Sequence, residues 1–301
     1  MASLKNCVFA LGFFDALHIG HMYVLERAKK IADKFNTTVK VLTFGDDFLQ
    51  KIYKDSEEIY LLDERRFLLK KFGISDVVVL PTDDTFLNSS PKEFLDYLRS
   101  LNPLAIVAGS DYSFGKNASG KIQDIIDYFT PFGVTIQICD IVKEKGVKVS
   151  STNIRTLLMN GDISNANRFL SCPFFYSGVV KQGLQNGHKF GFPTVNIDIP
   201  KNKVSIKSGV YVTLLEINGN MYPAVTNVGS HPTFDFYGTN IETHALKAIE
   251  DEYGESIRVY FIKFIRDIKK FSNGEELSQQ IEKDKEFAEK VIKDDKIWRG
   301  W

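Results

Sequence analysis

The sequence predicts an α/β domain built on a doubly wound parallel sheet, followed by a small antiparallel β-barrel and a last helix. Three observations carry that expectation. In the first half, short and largely apolar runs alternate with segments of helical apolar period, as when strands buried on both faces alternate with covering helices. From Tyr176 the pattern changes to short alternating segments punctuated by Gly, Asn and Pro, which suits a small barrel. Between two of those segments stands Asn218-Gly219, a strong signal for a two-residue hairpin. A chain of 301 residues has room for about two domains. The expected division is 1–172 and 173–301.

Taken in order, Cys7-Val8-Phe9-Ala10-Leu11 reads as the first buried strand. Tyr23, Val24, Ala28, Ile31, Ala32 and Phe35 then recur at helical spacing, with Lys29, Lys30 and Lys34 between them. Further strands are expected at 38–44, 77–80, 104–108 and 134–138. The helices between them are expected over 63–73 with Gly73 as the stop, over 91–101 with Pro91 in the first turn, and over 122–129. Ser151 or Thr152 can N-cap a short helix, which would place Arg155 in its first turn. Gly161-Asp162 breaks into a second helix, and the domain ends near 171–175. Barrel strands are expected at 176–180, 194–197, 209–217, 221–228, 241–246 and 256–264. Ser272-Asn273-Gly274-Glu275 has the pattern of a capping box. It would open a helix that buries Leu277, Ile281, Ala288, Val291 and Ile292 and turns its acids and lysines outward.

Composition narrows the function. Lysine plus arginine equals aspartate plus glutamate at 38 each, a formal net charge of zero. That argues against general affinity for nucleic acid or anionic membrane, so any polyphosphate recognition must be local. Three widely spaced cysteines, Cys7, Cys139 and Cys172, do not make a disulfide or zinc framework. No apolar stretch approaches the roughly 20 residues of a membrane span, and the short N-terminal apolar run lacks the features of a signal peptide. A cytoplasmic protein is expected.

The chemistry concentrates where the first strand turns into the first helix, at Gly12-Phe13-Phe14-Asp15-Ala16-Leu17-His18-Ile19-Gly20-His21. In open α/β sheets ligands bind beyond the carboxyl ends of the strands. Gly12 and Gly20 let backbone approach a ligand closely. The free N–H groups at a helix start attract anions, and His18 and His21 share one face of the first turn. A helix terminus alone contributes about 0.3–1 kcal/mol for an anion, up to about 2. That is too little to grip a triphosphate, so the imidazoles and a cation from elsewhere must contribute. Arg155, with a guanidinium fork suited to phosphate, could be that cation. The other readings are an HxxH metal pair, which would need further ligands, two solvated histidines, and an ordinary capped helix with a solvated arginine.

In the second half, Gly191-Phe192-Pro193-Thr194-Val195-Asn196 places Thr194 and Asn196 on one face of a strand. Two neutral oxygen ligands of this kind suit magnesium held together with ATP phosphates and waters. Ile241-Glu242-Thr243-His244 likewise puts Glu242 and His244 on one face. A carboxylate near bound ATP could take the proton of an attacking hydroxyl. A turn-flanking polar pair and a plain surface strand are the alternatives.

With these residues placed, the chain closely resembles the bifunctional riboflavin kinase/FMN adenylyltransferases, the prokaryotic FAD synthetases, from Gly12 to about Ile292. The first half carries the HxGH signature of adenylyl- and cytidylyltransferases, the loop Gly109-Ser110-Asp111-Tyr112-Ser113-Phe114-Gly115-Lys116 and Ser150-Ser151-Thr152-Asn153-Ile154-Arg155. By resemblance, Gly12, Phe13, Asp15, Gly20, Gly109, Asp111, Ser151, Thr152 and Gly191 bind nucleotide, while His18, His21 and Arg155 serve adenylyl transfer. The second half carries Gly-Phe-Pro-Thr-Val-Asn, Asn227-Val228-Gly229, Pro232-Thr233-Phe234 and Ile-Glu-Thr-His. In the kinase family the Thr and Asn hold magnesium and the Glu is the base, here Thr194, Asn196 and Glu242.

Departures from the family pattern include Gly45-Asp46-Asp47-Phe48 after the second strand, Asn117–Lys121, Cys172, His188 and Lys247. The resemblance implies phosphorylation of riboflavin to FMN by ATP in the barrel, then adenylyl transfer to FMN in the α/β domain, giving FAD and pyrophosphate. ATP, riboflavin, FMN and FAD are the expected partners, Mg2+ the expected cofactor, with no nucleic acid, membrane or obligate protein partner. The alternatives are survival of one activity only, or a flavin-binding regulator without turnover.

Overall fold

The structure is a computed structural model that describes residues 6–54, 56–181, 194–231, 236–247 and 254–294. The chain divides into two compact units, Met1–Asn153 and Ile154–Trp301. In the first unit the elements run β1 (Val8–Leu11), α1 (Ile19–Lys34), β2 (Val39–Phe44), α2 (Phe48–Ile52), α3 (Leu62–Lys71), β3 (Asp76–Leu80), α4 (Asp84–Leu87) and α5 (Pro91–Ser100). They continue with β4 (Ala105–Gly109), the short β5 (Ser113–Phe114) and β6 (Gly120–Lys121), α6 (Ile122–Phe129), β7 (Thr135–Cys139) and the hairpin β8 (Lys143–Glu144) and β9 (Val147–Lys148).

Five strands form one sheet in the order β3-β2-β1-β4-β7, and every neighbouring pair is parallel. All four residues of β1 are buried, which explains why the run has no polar alternation. Phe9, Leu11, Ile106 and Ala108 share a core cluster with Phe94, Leu95, Leu98 and Phe129. Chain order reverses between β1 and β4, so their carboxyl ends flank the crevice where such sheets bind ligands.

The second unit comprises the rest of α7 (Ser151–Met159), α8 (Ile163–Phe169), β10 (Phe175–Val179), β11 (Thr194–Asp198), β12 (Gly209–Ile217), β13 (Asn220–His231), β14 (Phe236–Ala245), β15 (Ser256–Arg266) and α9 (Gly274–Asp294). Its six strands form an antiparallel sheet in the order β10-β15-β12-β13-β14-β11. An antiparallel bridge from Lys181, just past β10, to Asn196 on β11 nearly closes it into a barrel. The hairpin turn is as expected: Asn218 and Gly219 both take positive φ, 49° and 78°, the requirement of a type I′ turn.

Several local expectations are corrected. The helix at 151–159 begins one residue earlier than a Ser151 or Thr152 cap would allow. Ser150 Oγ accepts the Asn153 N–H at 3.3 Å, so Arg155 lies in the second turn. The last helix is capped by Asn273, whose Oδ1 accepts the Glu276 N–H at 2.9 Å, while Glu276 accepts the Ser272 N–H. The cap is thus Asn273, one residue later than Ser272, with Glu276 reaching past it to the preceding N–H; asparagine is at least as good a cap as serine. Not all acids of α9 face outward: Asp284 is buried and takes a two-pronged grip from Arg266.

Candidate active sites

At the carboxyl ends of β1 and β4 lies a cavity of about 900 Å³. Its wall includes Gly12, Phe13, His18, Gly20 and His21 from the first turn, Gly109 and Asp111 from the loop after β4, and Ser151 from the start of α7. Three stretches far apart in sequence thus meet at the reversal point of the sheet. At two of the glycines a side chain would be tightly placed. A Cβ on Gly20 would lie 3.1 Å from the His18 ring, and one on Gly109 would lie 3.1 Å from Asp111 Oδ1.

His18 is the N-cap of α1, and its Nδ1 accepts the His21 N–H at 3.1 Å. A neutral imidazole with its Nδ1 engaged as an acceptor carries its proton on Nε2, which leaves that atom a donor. The His18 and His21 rings stack with centroids 3.6 Å apart and planes 12° from parallel, and Phe14 meets His21 edge-on. Burial lowers the His18 pKa from 6.5 to about 4. Burial, with the charges of His18 and Arg65 behind it, holds His21 well below its ordinary value.

The fold therefore keeps both rings neutral, and stability should depend on pH in a defined direction. The unfolded chain protonates His18 near 6.5 and the folded chain only near 4. Stability is therefore full above pH 6.5 and declines as pH falls from 6.5 to 4. At about 1.4 kcal/mol per pH unit, His18 alone accounts for about 3 kcal/mol of that decline. Calorimetric melting of the wild type and His18→Asn at pH 7 and pH 5 checks it. The wild type should lose more between the two pH values, and equal losses would contradict burial of a neutral His18.

Not every expected ligand residue lines the cavity. Asp15 is 1% exposed, and its Oδ1 accepts the Ile59 N–H at 2.7 Å, so it ties the turn to the segment before α3. Thr152, exposed, and Arg155, half-buried in the second unit, are not part of the wall. Lys148 on β9, which sequence reasoning passed over, is part of it and pairs with Asp111 at 2.8 Å. Also passed over was Arg65 on α3, which is completely buried. Arg65 shares the buried face of its helix with Leu68 and Leu69, but the acceptors that make its burial possible come from other segments.

In the second unit, β11 pairs with β14 so that Asn196 lies directly opposite Glu242 and Thr194 opposite His244. On the other side of β14, Glu242 is opposite Asn227. Cross-strand partners of this kind have Cβ atoms about 4.5–5.5 Å apart on one face. That face is not the buried one. Thr243 between them joins Thr226 and Thr213 in a hydroxyl ladder, with steps of 2.9 and 2.7 Å and all three wholly buried. Asn196 is 8% exposed, while Thr194 and Glu242 are half-buried. A neutral hydroxyl, a neutral amide oxygen and a carboxylate therefore gather on one side of two adjacent strands. The donor set fits a hard cation that arrives with phosphate oxygens. Gly191, His188 and Pro232-Thr233-Phe234 lie outside the described residues.

Comparison with known proteins assigns each half a family. A sequence model described as FAD synthetase matches residues 1–153, and one described as riboflavin kinase matches residues 170–292. The bifunctional riboflavin kinase/FMN adenylyltransferase of Bacillus subtilis is 35% identical over 289 residues, covering 93% of this chain and 91% of that protein. The Escherichia coli K12 protein of the same name is 30% identical over 288 residues, covering 94% and 92%. A crystal structure described as a macrolide-efflux protein from Streptococcus pneumoniae is 30% identical, with a TM-score of 0.83 over 99% of this chain and 95% of that one. Among the described residues, no helix of this chain is long and apolar enough to cross a membrane.

Proposed function

We propose residue roles for two reactions from the premise that this chain belongs to the bifunctional riboflavin kinase/FMN adenylyltransferases. It is an enzyme of flavin nucleotide synthesis. Its kinase half transfers the γ-phosphoryl group of ATP to riboflavin, giving FMN, and its FAD synthetase half joins FMN to the adenylyl group of ATP, giving FAD and pyrophosphate. We assign adenylyl transfer to residues 1–172 and phosphorylation to 173–301.

The adenylyl-transfer assignment rests above all on one observation: Gly12, His18, His21, Gly109, Asp111 and Ser151 line a single cavity at the reversal point of the parallel sheet. In this reading the ATP phosphates lie against the start of α1. His18 Nε2–H donates to a phosphate oxygen where charge builds up, and Lys148 and Arg155 neutralise the departing pyrophosphate. A phosphate oxygen of FMN attacks the α-phosphorus; the new P–O bond forms as the bond to the β-phosphate oxygen breaks. The FMN phosphate is already ionised, so positioning and charge neutralisation suffice without a covalent intermediate. Gly20 has no side chain to push His18 aside, and Asp15 acts from behind by holding the turn.

In the barrel, Glu242 accepts the proton of the riboflavin 5′-hydroxyl as its oxygen attacks the γ-phosphorus and ADP departs. Thr194 Oγ and Asn196 Oδ would hold magnesium, which supplies charge neutralisation at the ATP phosphates. Asn227, opposite Glu242 in the sheet, is placed to orient the carboxylate. A cytoplasmic location belongs to the same reading, supported by three buried cysteines, Cys7, Cys139 and Cys172, that are not joined in disulfides.

The direct test is incubation of the full chain with riboflavin, ATP and MgCl2, followed by chromatographic separation of flavins. FMN should appear first and FAD after it, and both should vanish when the metal is chelated. Accumulation of FMN without FAD would overturn the adenylyl-transfer half.

A further inference from the structure

Behind the cavity, the first unit encloses a cation. Arg65 has no exposed surface. Its Nη1 donates to the Phe13 carbonyl at 3.1 Å, to Thr43 Oγ1 at 2.9 Å and to the Phe44 carbonyl at 3.0 Å. Its Nη2 pairs with Glu58 Oε2 at 3.1 Å and with Asp46 Oδ1 at 3.5 Å. The guanidinium also sits 4.8 Å from the centre of the Phe13 ring, and Thr43 Oγ1 gives the Phe13 carbonyl a second donor at 2.6 Å. One side chain therefore joins the turn after β1, the end of β2 and the segment before α3.

What it holds is strained. Phe14 and Leu17, both buried and neither a glycine, have φ of 55° and 42°. Each costs about 1–2 kcal/mol relative to ordinary backbone and persists only where surroundings enforce it. These residues lead directly into His18 and His21. Three buried polar atoms in this region, His21 Nδ1, Glu58 Oε1 and Arg65 Nε, have no hydrogen-bond partner among the described residues. A protein built for stability alone would satisfy or replace them, because an unpaired buried polar group costs about 1–3 kcal/mol.

We propose that Arg65 is a positioning residue for adenylyl transfer: its fork locks the Phe13 carbonyl and so holds the strained turn that presents His18 and His21 to the phosphates. The inference rests on the assignment of this cavity to that reaction. Asp46, from the stretch where the chain departs from its family pattern, belongs to the device. It accepts the Leu62 N–H at the start of α3 as well as pairing with Arg65.

The charge has its own consequence. Arg65 lowers the affinity of His21 for a proton, as the stacked His18 does. Glu58 does not fully offset Arg65, because burial pushes its carboxyl up to about 8 against the pull of the guanidinium, with Asp15, Asp46 and Asp47 adding to the rise. Loss of the positive charge should therefore raise the His21 pKa, whereas its retention on a lysine should not.

The test uses the full chain with Arg65→Met, Arg65→Lys, and the milder Thr43→Val, which removes one donor to the Phe13 carbonyl without changing side-chain shape. Calorimetric melting of the same preparations reports whether the first unit, which carries the substitutions, is folded, and riboflavin phosphorylation reports the second. In Arg65→Met, kcat/KM for FMN adenylylation should fall by about 10²-fold, the scale of a 1 Å misplacement, and the His21 ring should titrate higher by NMR. Thr43→Val should show a smaller loss in the same direction. Arg65→Lys should lose rate, since an ammonium cannot serve so many acceptors at once, but leave the His21 titration in place. Wild-type kcat/KM in both Arg65→Met and Thr43→Val overturns the proposal. So does a His21 titration that moves as far in Arg65→Lys as in Arg65→Met. His21→Ala separates the two levels of argument. If it leaves FAD formation intact, the cavity assignment has failed. If it stops FAD formation while the Arg65 variants do not, only the role of Arg65 has failed.

Discussion

Replacing His18 with alanine should cut FAD formation from FMN by about 10²–10³-fold, the usual loss when one donor to a developing oxyanion is removed. Riboflavin phosphorylation should stay near the wild-type rate. The His18 side chain has two functions that the structure separates. It caps α1 through Nδ1, which accepts the His21 N–H, and it lines the cavity, where its Nε2 is the free donor. Loss of a cap costs about 0.5–2 kcal/mol of helix stability, so alanine alone would confound the two. His18→Asn keeps an oxygen to cap the helix but removes the ring. It should melt close to the wild type at pH 7 yet adenylylate as poorly as His18→Ala. The measurement is kcat and KM for FMN at saturating ATP, with the kinase assayed in parallel. Full adenylylation by His18→Asn would make His18 a cap and nothing more. Arg155→Ala should behave as a second adenylylation-specific variant, with its loss concentrated in steps that involve pyrophosphate.

The second large effect belongs to Glu242. Glu242→Gln preserves size and the strand but removes the proton acceptor, so kcat for riboflavin phosphorylation should drop by about 10²–10⁴-fold, the range of general base catalysis. The magnesium concentration for half-maximal rate should change little, because the carboxylate is assigned to the hydroxyl and not to the metal. Asn196→Ala and Thr194→Ala should do the reverse, raising the magnesium requirement while leaving much of the rate at saturation. The cross-strand register makes this contrast a sharp one: Asn196 and Glu242 are direct neighbours on β11 and β14, so proximity alone would allow either to touch the cation. Magnesium titrations of the three variants decide. If Glu242→Gln shifts the metal requirement and turns over normally at saturation, Glu242 is a ligand and the base lies elsewhere. FAD formation from supplied FMN should persist in all three.

What could be read directly from the chain was whatever depends on neighbours in sequence. The five strand runs became the parallel sheet within a residue or so at each end, because apolar period is a local property; that β3 and β7, at the edges, are only partly buried was not legible there. The hairpin at Asn218-Gly219 followed from backbone sterics at two residues. The His18–His21 pair was legible because a strand, a glycine-bearing turn and a helix start occur in succession. The family motifs singled out Thr194, Asn196 and Glu242 as candidates for the same reason. The short helices α2 and α4, with no buried residues of their own, left no periodic signal.

Everything that depends on which strands meet, and in what register, was decided by the tertiary structure. The alternation Glu242, Thr243, His244 shows that the first and third share a face, but not which face is buried. The ladder of Thr213, Thr226 and Thr243 settles that, and it exists only once β12, β13 and β14 are paired. A one-residue slip would turn Glu242 inward. Asp15, which the resemblance puts among the nucleotide-binding residues, is buried and accepts the N–H of Ile59, 44 residues away in sequence. Arg65 is the extreme case. A guanidinium can be buried only where acceptors surround it, and its acceptors come from Phe13, Thr43, Phe44, Asp46 and Glu58. No local pattern announces such a convergence. It arises from folding, which brings the ends of β1 and β2 and the start of α3 to one point beneath the turn that carries His18 and His21.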